Sequence, residues 1–151
     1  MKHIISLLLL LVGYVVAEGN SSGTHNISFA TTEGTWMSVD MSPNGKTIAF
    51  DLLGHIYLLP ISGGKARAIT NGTSWNMFPR FSPDGNTILF TSDRSGSDDL
   101  WTQDLSSGEM KNISGMKFPV HQGTWSNDSR HVFGTALNMK VRHPVYMFNM
   151  Y

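Results

Sequence analysis

Past an apolar opening, short apolar runs alternate with tight polar breaks, and no long stretch keeps a helical apolar period free of Gly or Pro. Thr47-Ile48-Ala49-Phe50 and Thr87-Ile88-Leu89-Phe90 have the length and alternation of strands packed on one or both faces. Ser42-Pro43-Asn44-Gly45 precedes the first run and Ser82-Pro83-Asp84-Gly85 the second. In each break Pro presets the backbone for the second turn position, and Gly accepts the positive φ that ends the turn. A tight reversal is therefore expected ahead of each run.

The two copies start 40 residues apart, at Ser42 and Ser82, and the later pieces recur in the same order. His55-Ile56-Tyr57-Leu58 returns as Asp99-Leu100-Trp101-Thr102. Ser62-Gly63-Gly64 and Ala68-Ile69-Thr70 return as Ser106-Ser107-Gly108 and Asn112-Ile113-Ser114. Four strand-like pieces per repeat of about 40 residues is the spacing of a β-propeller blade; a sandwich would not repeat one turn motif at a fixed interval.

A degraded third copy opens at Gly123-Thr124-Trp125-Ser126. Asn127 and Ser129 replace the Pro and Gly of the turn, Gly134 replaces Phe50 and Phe90, and Val145-Tyr146 falls where a third strand belongs. The expected fold is all-β: a partial β-propeller of about two and a half four-stranded blades after an N-terminal signal peptide. The expected blades are 35–74, 75–118 and an incomplete 119–151, with 18–34 holding a strand at Ile27–Ala30 suited to closing a ring. A closed propeller needs at least four blades, so a fragment or truncated gene is expected, with self-association through open blade edges.

The opening itself reads as an export signal. Met1-Lys2-His3 is a basic start, Ile4 to Val12 is apolar, and Val15-Val16-Ala17 is a small-residue cleavage pattern. The apolar run falls short of the ~20 residues that span a bilayer. Residues 1–17 are thus expected to be removed, leaving no stable membrane span and a secreted, extracellular or periplasmic product. Five Asn-x-Ser/Thr sequons follow, at Asn20, Asn26, Asn71, Asn112 and Asn127, either glycan acceptors of a glycoprotein or turn chemistry.

Composition narrows the chemistry. Eleven Lys and Arg balance eleven Asp and Glu, and the cations do not cluster, which argues against a nucleic-acid partner. With no cysteine there are no disulfides, thiolate nucleophiles or Cys-ligated metals. His3, His25, His55, His121, His131 and His143 are scattered and lack the His-x-His pair of a metal-dependent hydrolase. Gly19-Asn20-Ser21-Ser22-Gly23 matches a nucleophile-elbow pattern but has no strand before it and no helix after it. Asp93-Arg94-Ser95-Gly96-Ser97-Asp98-Asp99 gathers carboxylates that could cup calcium or simply form a solvated turn. The aromatics Trp36, Tyr57, Trp75, Phe81, Phe90, Trp101 and Trp125 recur at matching positions, which points to packing between blades, with an exposed platform as the alternative.

The stretch from Thr35 to Gly54 closely resembles the first blade of a TolB-like, WD-like propeller, and so does Pro79 to Gly85 running into Phe90 to Gly96. The resemblance covers about residues 25–136, and its wording is most similar to the N-terminal propeller of secreted amidohydrolase-related proteins. Dipeptidyl peptidase IV-like and prolyl oligopeptidase-like serine peptidases carry related repeats. The resemblance implies a non-catalytic segment that serves protein interaction or substrate gating, its partner being another protein or a missing C-terminal hydrolase domain. The alternatives are the propeller of a serine peptidase and a stand-alone interaction module. No catalytic, cofactor-binding or metal residue, and no cofactor, is expected.

Signal peptidase should cut after Ala17, so the mature chain from an export-competent host should begin at Glu18. Intact-mass measurement decides this; retention of Met1 to Ala17 on most molecules would refute it.

Overall fold

The computed structural model describes residues 34, 36–136 and 144–150. The signal-like residues 1–17, the Gly19–Gly23 pattern, the Ile27–Ala30 segment, the sequons at Asn20 and Asn26, and His3, His25 and His143 lie outside the described residues.

The described residues form strands joined by turns. Strands β1 (Val39–Met41), β2 (Thr47–Leu52), β3 (His55–Pro60) and β4 (Arg67–Ala68) make one antiparallel sheet in chain order. Strands β5 (Asn76–Phe81), β6 (Thr87–Ser92), β7 (Asp99–Asp104) and β8 (Met110–Asn112) make a second with the same order. Strands β9 (Val120–Trp125), β10 (His131–Ala136) and β11 (Val145–Asn149) make a third, three strands wide among the described residues. The chain is therefore all-β, in repeated antiparallel meanders.

One turn starts all three sheets. Ser42 Oγ donates to Asn44 Oδ1 (2.8 Å) and accepts from Thr47 N (2.9 Å). Ser82 Oγ donates to Asp84 Oδ1 (2.5 Å) and accepts from Thr87 N (3.0 Å). Ser126 Oγ donates to Asp128 and accepts from His131 N, so the degraded copy keeps the network. The third turn has lost its glycine: Ser129 takes φ 57° where Gly45 and Gly85 have 67° and 76°. A residue with a Cβ pays roughly 1–2 kcal/mol for that conformation. The Asx acceptor and the serine hydroxyl hold the turn regardless.

Because the turn fixes register, it also fixes which side chains share a face. Ala49 and Ile56 leave the first sheet toward the second and meet Phe81, Ile88 and Phe90. Leu89 and Leu100 leave the opposite face of the second sheet and meet Val120, Val132 and Ala136 of the third. The middle sheet is covered on both sides, so Ile88, Leu89 and Phe90 are all buried in succession. The outer sheets bury alternate residues only: Ala49 and Asp51 in β2, and Val132, Gly134 and Ala136 in β10. Glycine is required at 134, because a Cβ there would stand 2.6 Å from Leu100 Cδ1 and 2.8 Å from Val120 Cγ1. That contact explains why Gly134 stands where the other copies carry Phe50 and Phe90.

Replacing Ser82, which is 1% exposed, with Ala removes a donor and leaves Thr87 N without its acceptor. The expected loss is about 1–3 kcal/mol, read as a lower urea midpoint. Ser126→Ala, in the more exposed third turn, should cost less; equal midpoints for wild type and Ser82→Ala would refute the role of the turn.

Candidate interaction surface

The first strands of the sheets lie side by side, β1 against β5 and β5 against β9, while β4 and β8 sit at the far edges. Two carboxylates stitch the first seam. Asp51, buried in β2, accepts from Ser38 N at Oδ1 (2.9 Å) and from Phe78 N at Oδ2 (2.8 Å). Asp40 Oδ2 accepts from Phe81 N (2.7 Å). Phe78 has φ 57° and Gln122 φ 51°, each beside a register shift in its sheet, and both mark a bulge in the strand nearest the seam. Across the second seam Thr91 stands in the place of Asp51, and its buried Oγ1 has no partner; Trp125 Nε1 bridges instead to Arg80 O (3.2 Å).

At the end of the sheets where β2 turns into β3, a polar cluster fixes the loops. Asn76, fully buried, donates from Nδ2 to Gly54 O (2.7 Å) and Ser74 O (2.9 Å) and accepts from Arg94 Nη2 (2.6 Å). The Arg94 guanidinium also lies over the Phe90 and Trp101 rings, 5.4 and 5.0 Å from their centroids. Burial pulls its pKa below the usual value, and the Asp93 charge opposes that shift. Trp75 N donates to Asp93 Oδ1 (2.8 Å). Gly54, at φ 79°, leaves room for the Trp75 ring, since a Cβ there would approach Cε3 to 3.0 Å.

This hydrogen-bonded end displays apolar groups. Leu53 is 59% exposed and Trp75 53%, and Trp36, at φ 61°, is entirely exposed. Trp36 and Trp75 correct the expectation that all the recurring aromatics pack between sheets. They stand just before the first strands, beyond the reach of a neighbouring sheet's face. Phe81, Phe90, Trp101 and Trp125 do pack between sheets, whereas Tyr57 stacks on Phe50 of its own sheet, centroids 5.4 Å apart.

The acidic loop disperses. Asp93 holds Trp75, Asp98 Oδ2 faces His121 Nδ1 at 3.3 Å, and Asp99 accepts from Ser95 Oγ, Ser114 Oγ and Asn112 Nδ2. The three carboxylates serve three separate neighbours, which favours the turn over a calcium cup. Among the described residues no three His, Asp or Glu side chains converge as metal ligands. His55 lies in β3, and His121 and His131 sit at opposite ends of the β9–β10 pair. Of the described sequons, Asn71 and Asn127 are exposed, while Asn112 is engaged through both side-chain atoms.

Sequence reasoning missed Asp40, Asp51, Asn76 and Arg94. For Asp51 a signal existed, a lone carboxylate inside an apolar strand; for Asn76 and Arg94 the partners lie 18 residues apart, and no local pattern joins them.

A family model described as the TolB beta propeller domain matches residues 16–147. The Tol-Pal system protein TolB of Bordetella pertussis is 40% identical over 58 residues, which is 38% of this chain and 13% of that protein. Dipeptidyl-peptidase 5 of Porphyromonas gingivalis is 26% identical over 118 residues, covering 74% of this chain and 16% of that one. Among solved structures, TolB from Acinetobacter baumannii superposes with a TM-score of 0.66 at 25% identity, over 78% of this chain and 31% of that one. A structure described as TolB from Agrobacterium tumefaciens superposes with a TM-score of 0.69 at 22% identity, over 79% of this chain and 47% of that one. The chain thus spans under one fifth of these curated relatives and under half of these solved chains.

Asp99 offers a test of the loop as structure. Burial raises its pKa, but donation from Ser95, Ser114 and Asn112 outweighs this and leaves it below the usual 3.8. A carboxylate with a depressed folded pKa adds stability that is complete above the unfolded value and fades as pH falls through the folded one. Asp99→Asn should therefore lower the urea midpoint at pH 7, and the gap from wild type should narrow below pH 3.8. A gap independent of pH would refute this assignment.

Proposed function

Because the chain belongs to the TolB beta propeller family, we propose that it is an exported, non-catalytic propeller segment that binds another protein. The observation that carries this reading is the exposed Leu53–Trp75 surface, held in place by the Asn76–Arg94 cluster. Large apolar groups left open on rigid loops are characteristic of protein-binding surfaces, where aromatic anchors carry much of the affinity. Balanced charge suits a protein partner better than a polyanion. Export is supported by the pattern of Met1 to Ala17.

A second reading has its own support. The match to a dipeptidyl-peptidase runs through 118 residues, and a tricorn protease homologue from Streptomyces coelicolor matches over 72. In that reading the propeller accompanies a peptidase and gates or positions its substrate. These relatives favour a peptidase over the amidohydrolase partner that the wording of the repeats suggested. The amidohydrolase pairing rests on that wording alone.

A photoreactive phenylalanine analogue in place of Trp75, in the chain expressed in an export-competent bacterium, should yield a discrete heavier adduct on irradiation. The same group at the exposed Lys65 serves as control. Identical adducts at both positions, or none at Trp75, would remove the proposed surface. Turnover of an amide or ester by the purified chain, abolished by one substitution in it, would overturn the non-catalytic assignment.

A further inference from the structure

Asparagine followed by glycine is a chemically labile pair, because glycine has no Cβ to keep its amide nitrogen away from the asparagine side chain. Two such pairs stand among the described residues, Asn44-Gly45 in the first serine turn and Asn71-Gly72 between β4 and β5. Free space does not separate them, since a Cβ on either glycine would meet nothing within 4 Å. Hydrogen bonding does. Asn44 Oδ1 accepts from Ser42 Oγ (2.8 Å) and from Lys46 N (3.0 Å), while Gly45 N donates to Ser42 O (2.8 Å). The attacking nitrogen and the amide it would attack are thus both tied to other groups. Asn71 and Gly72 are exposed, and neither the Asn71 side chain nor Gly72 N has a hydrogen-bond partner among the described residues.

The Asn71 loop is pinned at its two ends. Ile69 N donates to Ile56 O (2.9 Å), and Thr70 Oγ1 accepts from Ile56 N (2.9 Å). Beyond the loop, Trp75 N donates to Asp93 Oδ1 (2.8 Å) and Asn76 N to Gly54 O (3.0 Å). Residues 71–73 lie exposed between these anchors, so Gly72 N can turn onto Asn71 Cγ with both ends in place.

We propose that Asn71 is a site of deamidation by water in the folded protein, and that the serine turn shields Asn44 from the same reaction. Gly72 N gives its proton to solvent and bonds to Asn71 Cγ; the Cγ–Nδ2 bond breaks, and Nδ2 takes a proton from solvent and leaves as ammonia. Water then opens the imide ring. Addition at Cγ gives aspartate. Addition at the Asn71 main-chain carbonyl carbon breaks its bond to Gly72 N and gives isoaspartate, with the chain running through the side chain. The sum is one water consumed and one ammonia released, with no change in oxidation state. Either product sets a new carboxylate four residues before Trp75, and isoaspartate also lengthens the main chain by one carbon. The assignment rests on hydrogen bonding in the loop and stands apart from the reading of Trp75 as a binding residue.

The chain, purified from a non-glycosylating bacterial host, is kept folded in mildly alkaline buffer made with heavy-oxygen water and digested with trypsin at intervals. Peptide fragmentation locates each conversion, and enzymatic methylation counts isoaspartate. Heavy oxygen should enter residue 71 as aspartate and isoaspartate, with Asn44 slower by roughly tenfold or more, because three hydrogen bonds must open there first. In urea the two rates should converge. Ser42→Ala, which removes one of those bonds, should speed conversion of Asn44 and leave Asn71 unchanged. An intact Asn71, equal rates in the folded chain, an undiminished gap in urea, or an Asn44 rate unmoved by Ser42→Ala would each overturn the proposal.

Discussion

Face-to-face stacking of the sheets holds the molecule together, because a four-stranded meander cannot bury its own apolar faces. Each Leu, Ile or Phe side chain taken fully out of water contributes about 1.5–3 kcal/mol, and only a neighbouring sheet removes that water. The middle sheet has neighbours on both sides, which is why β6 buries residues in an unbroken run while β2 and β10 bury every second one. The same constraint makes the outward faces of the first and third sheets the most consequential open surfaces among the described residues.

Stacking needs register, and register comes from the serine turn. Its hydroxyl is both donor and acceptor, so one side chain ties the Asx residue inside the turn to the first amide of the second strand. The third copy shows which parts matter. Pro and Gly are gone, yet Ser126 and Asp128 remain, and β9 and β10 pair in the same sense as β1 with β2 and β5 with β6. Pro and Gly ease the backbone; the hydroxyl and the Asx oxygen define the turn.

Between sheets the polar groups do a different job from the apolar ones. Asp51 and Asp40 satisfy amides that the bulged first strand would otherwise leave unpaired, and Asn76 with Arg94 fixes the loop end. A buried carboxylate accepting two amides fits one geometry only, so these contacts align sheets that apolar packing would let slide. The exposed Leu53 and Trp75 lie beside that hydrogen-bonded loop end.

How much was legible in advance depended on range. The strands, the turns and the 40-residue period are local facts: strand alternation acts over two residues, and a turn over four. They could be read directly, and the all-β propeller repeat followed from them. The aromatics were only half legible, because recurrence marks a position in the repeat and not what covers it; Phe90 is enclosed by a neighbouring sheet, while Trp36 and Trp75 fall beyond its edge. The acidic loop likewise looked like one cluster in the sequence, and folding sent its carboxylates to Trp75, His121 and Ser114. Glycine at 134 had no reason at all until Leu100 was seen against it. The sequence by itself determined the repeat, because that chemistry is closed within a few residues. Tertiary structure alone decided burial, the bridges at the seams and the open faces, because each depends on groups from another sheet.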